Sequence, residues 1–140
     1  MRYIGLDIGT KTIGIAISDK TGILASPLEV IKFTDTSDAL SKVITIINQY
    51  NITEVIIGLP KNMDNSEGFA SHRSIEFKEL LAKEFMGLIH FIDERLTTKE
   101  AEKILIERGK SREKRKKEID ALAATLILDT YLKKAGKNNE

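Results

Sequence analysis

The sequence predicts an α/β layered domain, a mixed β-sheet with helices on both faces. Two observations carry this. Ile13, Ile15 and Ile17 recur with period two while Gly14, Ala16 and Ser18 take the alternate positions, the pattern of a strand. Further on, the apolar runs "EVIIGLP" and Leu88 to Ile92 alternate with segments whose apolar residues recur at helical spacing, as parallel strands joined by helical crossovers do.

The elements follow in order. Arg2 to Ile8 forms a first strand, and the short "GTK" makes a hairpin turn into the second, with Gly9 free to take positive φ. "ILASPLEVI" is a third strand, placed at a sheet edge by Pro27, which has no N–H to give a neighbour. Asp35 to Tyr50 brings Leu40, Val43, Ile44 and Ile47 to helical spacing, with Asp35, Thr36 or Ser37 as its cap. "EVIIGLP" is a buried parallel strand, and a polar loop leads to a helix from Phe69 to Phe85 with Ile75, Leu80 and Leu81 among its apolar positions. After the fifth strand, "TTKE" has the form of a capping box, predicting a helix from Thr97 to Arg108 that stops at Gly109. A last helix runs from Glu118 to Lys134 with Ile119, Leu122, Leu126 and Ile127 on one face, before a frayed tail over about 135–140.

A chain of 140 residues, 41% hydrophobic and 31% charged, fits one folded domain spanning 1–140. It contains no cysteine, so disulfides, thiolate metal sites and a cysteine nucleophile are excluded. The N-terminus lacks the apolar run of a signal peptide and no stretch is long enough to span a membrane, which predicts a cytoplasmic protein. Net charge is only +1, but "KSREKRKK" from Lys110 to Lys117 concentrates cations.

Three acidic positions stand out. Asp7 puts a carboxylate in a strand, where burial is costly unless it is paired or holds a metal; the alternative is an Asx-type cap on the "GTK" turn. Asp93 and Glu94 end the fifth strand, at the sheet edge where α/β proteins gather ligands, although Arg95 could simply pair with them. Asp120 precedes Ala123 and Ala124 by one helical turn, small residues that let a helix approach a sheet; otherwise it complements the helix dipole. Together Asp7, Glu94 and Asp120, with Asp93 as an auxiliary, form a candidate catalytic and metal-binding set for Mg²⁺ or Mn²⁺. Candidate phosphate contacts are Lys11, Lys61, Asn62, Arg73, Arg95, Lys110, Arg112, Lys114, Arg115, Lys116 and Lys117, any of which could equally be solvated surface. His72 and His90 read as structural or solvent-facing.

Four motifs in order, "LDIGTKTIGIAISD", "GLPKNMDNSEG", "DERLTT" and "DALAATLIL", resemble the YqgF/RuvX family, described both as Holliday junction resolvases and as pre-16S rRNA nucleases. The resemblance spans Met1 to about Leu132. It implies an RNase H-like fold and a metal-dependent nuclease of the cytoplasm, acting on the 5′ end of the small-subunit rRNA precursor, with Asp7, Glu94 and Asp120 at the family's acidic positions. It also implies a fourth strand between the first and fifth, so that Glu94 must reach past Gly58 toward Asp7. Thr12, Lys61 and Asn65 depart from the arginine, leucine and glycine more usual there. The implied partners are nucleic acid, as pre-rRNA or branched DNA, and ribosomal precursor particles, for a monomer or homodimer. Two other readings stay open on the residues: an actin-like ATPase or sugar kinase, which shares the Asp-x-Gly-Thr opening but needs a second lobe, and a non-catalytic nucleic-acid-binding module.

Overall fold

The computed structural model describes residues 2–60, 68–93 and 112–135, with the backbone alone at 69–70 and 112–120. Strands β1 (Tyr3–Ile8), β2 (Thr12–Ser18), β3 (Ala25–Lys32), β4 (Glu54–Leu59) and β5 (Leu88–Asp93) form one sheet in the order β3-β2-β1-β4-β5. The first three strands pair antiparallel, whereas β4 pairs parallel with β1 and with β5. This is the predicted mixed sheet. Pro27 lies on edge strand β3, beside a register shift at Ile15/Ala16.

The pleat divides the strand residues between two cores. Ile4, Leu6, Ile13, Ile15, Val55 and Ile57 pack with helices α1 (Thr36–Tyr50) and α2 (Phe69–Ala82). Tyr3, Ala16, Ile56 and Ile92 pack on the other face with Ala124, Ile127, Leu128 and Leu132 of helix α3 (Arg112–Lys134). At the crossing of α3 over β1, a Cβ on Gly5 would stand 2.8 Å from the Ala124 carbonyl oxygen and 2.9 Å from Leu128 Cβ. Only glycine admits the helix at that distance.

Helix α1 is capped as its sequence suggests, the Asp35 carboxylate accepting from the Asp38 amide at 2.8 Å. It ends at Asn51 in the left-handed region, whose amide bonds to the Ile47 carbonyl. Its buried stripe is Ala39, Val43, Ile46 and Ile47, with Leu40 and Ile44 at the margin. In α2, which stops at Ala82 rather than Phe85, the sheet side presents Ser71, Ser74, Phe77 and Leu81, while Ile75 and Leu80 are half-buried.

One freedom goes unused and one more expectation is corrected. Gly9 does not take positive φ; a Cβ there would come within 3.0 Å of the Thr12 carbonyl, which closes the turn by accepting from the Gly9 amide at 2.8 Å. Helix α3 starts at Arg112 and so takes in most of the basic run, because Lys, Arg and Glu are good helix formers and no Gly or Pro interrupts them. The helix predicted at Thr97 to Arg108 lies outside the described residues.

Candidate active site and nucleic-acid interface

Asp7 is half-buried within β1, in register with Gly14 of β2. On the parallel side Leu6 pairs with Ile57, so the residue beside Asp7 is Gly58. The carboxylate therefore lies between two glycines on one face, with no side chain from either adjoining strand position crowding it. It also sits inside the ladder, since the Ile8–Ile13 pair and the turn come after it. Because β1, β4 and β5 run parallel, Asp7 is near the carboxyl ends of all three, where α/β sheets hold ligands.

Helix α3 covers that same face and runs against the direction of β1. Tyr3 meets Tyr131, with ring centroids 6.1 Å apart, and Gly5 meets Ala124 and Leu128. Two strand residues advance about 7 Å, and one helical turn covers about 5.4 Å. One pleat beyond Gly5 is Asp7, and one turn before Ala124 is position 120. The α3 backbone thus carries position 120 toward the end of β1 that bears Asp7.

Glu94 lies outside the described residues, as do Lys61, Asn62, Arg95 and Lys110. Asp93 closes β5, exposed, on the pleat of Ile89 and Phe91, which pack toward α1 and α2. Asp7 shares its pleat with Tyr3 and Gly5 on the α3 side. Strand alternation places these two aspartates on opposite faces of the sheet. Among the described residues no three His, Asp or Glu side chains converge as metal ligands.

Lys11 is exposed at the β1–β2 turn, where its carbonyl accepts from the Phe33 amide at 3.1 Å. Arg112, Lys114, Arg115, Lys116 and Lys117 occupy the first turns of α3. Arg73 of α2 lines a cavity of about 100 Å³ beneath the β1–β2 turn, with Gly9, Thr10, Ile13, Phe33, Glu76 and Phe77. Sequence reasoning singled out Arg73 without this cavity, whose walls come from three separated segments.

A second polar group, unforeseen in the sequence, sits at the far end of the strands. The Glu54 carboxylate is 3.0 Å from His90 Nε2, and the His90 ring stacks on Tyr131 at 4.9 Å. Burial, and then the hydrogen bond its hydroxyl donates to Glu54, push the Tyr3 pKa up to about 12. His90 is thus structural, tying β4 and β5 to α3.

The family described as "RuvX: Holliday junction resolvase" matches residues 1–134. The chain belongs to this family. A relative from Lactobacillus johnsonii, named "Putative pre-16S rRNA nuclease", is 44% identical over 143 residues, covering 99% of this chain and 100% of that one. One of the same name from Staphylococcus haemolyticus is 46% identical over 135 residues, covering 94% of each. Among solved structures, Thermus thermophilus RuvC in complex with a Holliday junction substrate superposes with a TM-score of 0.62 at 17% identity, covering 96% of each chain. The fowlpox virus resolvase with its junction DNA gives 0.59 at 17% identity, covering 96% of this chain and 99% of that one. These likenesses establish the RNase H-like fold of the RuvX family here. Membership also decides against the ATPase reading of the opening segment. Among the described residues, no helix is long and apolar enough to cross a membrane.

Proposed function

We propose that this RuvX-family chain is a metal-dependent nuclease that hydrolyses phosphodiester bonds, with Asp7, Glu94 and Asp120 as its working carboxylates. The observation that carries the reading is the half-buried Asp7 between Gly14 and Gly58, at the carboxyl ends of the parallel strands, beneath a helix drawn close by Gly5. The donor set is all carboxylate oxygen, which suits a hard divalent cation, and the glycines on either side of Asp7 leave room for one. Mg²⁺ or Mn²⁺, when bound, supplies shielding of the phosphate charge and a water acidic enough to attack phosphorus. Asp7 would be its principal holder, with Glu94 and Asp120 completing the set. The cations of early α3 and Lys11 steady the nucleic-acid backbone by charge, a sequence-independent contribution that weakens with salt.

The names of the relatives favour pre-16S rRNA as substrate; the reading places the cut at its 5′ end, in ribosomal precursor particles of the cytoplasm. A second reading, cleavage of four-way DNA, is favoured by the family's description and by the junction-bound neighbours. It requires a two-fold dimer making paired cuts, whereas end trimming needs only a monomer. The two are separated by incubating the chain with a 5′-extended rRNA precursor and a four-way junction side by side, in Mg²⁺ and in Mn²⁺. The proposal expects the precursor to be shortened and the junction left whole. Paired symmetric nicks with intact RNA would establish the second reading, and no cleavage of either would remove the nuclease.

A further inference from the structure

We infer that the cavity beneath the β1–β2 turn seats one unstacked base of the substrate, so that the chain acts on single-stranded nucleic acid. The inference rests on the nucleic-acid reading above and names the substrate class. The cavity opens beside Gly9 and Thr10, two and three residues after Asp7, on the α1/α2 face of the sheet. Asp7 faces α3 on the other side of the sheet, so a nucleotide whose base lodges here reaches round the β1–β2 turn from the phosphate at Asp7.

Its chemistry suits a base better than a phosphate. Phe33, Phe77 and Ile13 supply apolar walls, which cannot replace the hydration of a phosphodiester anion but accept the flat faces of a heterocycle. Glu76 stands at the same cavity and would repel an anion. Arg73 lines the cavity, and its guanidinium, which carries several N–H donors and no acceptor, can donate to an acceptor seated there. A base edge carries both a carbonyl or ring-nitrogen acceptor for Arg73 and N–H donors for Glu76. The volume of about 100 Å³ is of the order that takes one six-membered ring, since an apolar cavity of about 150 Å³ holds benzene. A base still paired in a helix cannot enter, so the nucleotide must be unpaired when it binds.

The test uses the full chain and a fluorescent single-stranded RNA carrying one abasic position, moved along the strand, beside the same RNA annealed to its complement. Binding is read by anisotropy without divalent ion, and cleavage is read separately in Mg²⁺. Wild type should lose roughly five- to a hundredfold in affinity at one abasic position, the worth of one stacked base, and should bind the duplex weakly. Arg73→Met should bind intact RNA as weakly as wild type binds that abasic strand, with no further loss on it. Glu76→Gln, at an exposed residue, provides the same comparison if Arg73→Met does not fold by circular dichroism. Indifference of wild type to every abasic position overturns the inference. So does an Arg73→Met defect equal on all strands with a shallower salt dependence, which would make Arg73 a phosphate contact. Abasic-sensitive binding by a wild type that cuts nothing upholds the base pocket while removing the nuclease.

Discussion

Gly5→Ala tests the crossing that links fold to site. The added methyl would lie 2.8 Å from the Ala124 carbonyl and 2.9 Å from Leu128 Cβ, about half an ångström inside ordinary contact. Neither neighbour can swing away, because one is helix backbone and the other a Cβ fixed to it. Helix α3 must therefore lift from β1 or the strand must bow. Overpacking of this kind costs about 1–3 kcal/mol. At roughly 2–4 °C per kcal/mol for a domain of this size, the melting temperature should fall by several degrees. The lift also moves position 120 away from Asp7, and since a 1 Å misplacement can cost on the order of a hundredfold, turnover should fall about ten- to a hundredfold. Thermal melts and single-turnover cleavage below the melting range read the two effects apart. A Gly5→Ala protein with wild-type melting and wild-type cleavage would refute the reasoning, showing that α3 is not seated where the site needs it.

Three other outcomes follow from the same physics. Tyr3 keeps its proton more tightly folded than unfolded, so its contribution is complete below about pH 10 and fades as pH rises toward 12, by about 2–3 kcal/mol. Urea midpoints against pH should show that fall for wild type and a flatter one for Tyr3→Phe. Glu54→Ala removes the acceptor shared by Tyr3 and His90 and should cost about 1–3 kcal/mol in urea unfolding. Glu54→Gln, which keeps an acceptor oxygen, should lose less. Asp35→Ala takes the cap from α1 and should cost about 1 kcal/mol by the same measurement.

Strand identity, sheet type and the edge position of β3 were legible because each rests on local pattern: period two, a continuous apolar run, a proline. The inward faces of the helices were less so. Reading large apolar residues as buried favours Leu40 and Leu126, yet helices laid closely on a sheet select small residues: Ala39, Ser71 and Ser74 fill such places unforeseen, while Ala123 and Ala124 do so as their size suggested. Charge misled at the start of α3, where a cationic run suggested a break although its residues propagate helix well. Asp7 was visible because a carboxylate inside a strand needs a reason. The glycines beside it acquired meaning only from register, which pairs residues distant in sequence. The same holds for the Arg73 cavity, whose walls meet only in the fold.

The central claim is that Asp7 is there for chemistry rather than for folding. Single-turnover cleavage of the 5′-extended rRNA precursor in Mg²⁺, by wild type and by Asp7→Asn, measures this most directly when paired with a melt of each. The account predicts that Asp7→Asn, which keeps shape and hydrogen-bonding capacity, melts at least as high as wild type while cleavage falls by a thousandfold or so, a loss on the order of 4 kcal/mol in barrier. Equal cleavage by the two proteins would contradict it.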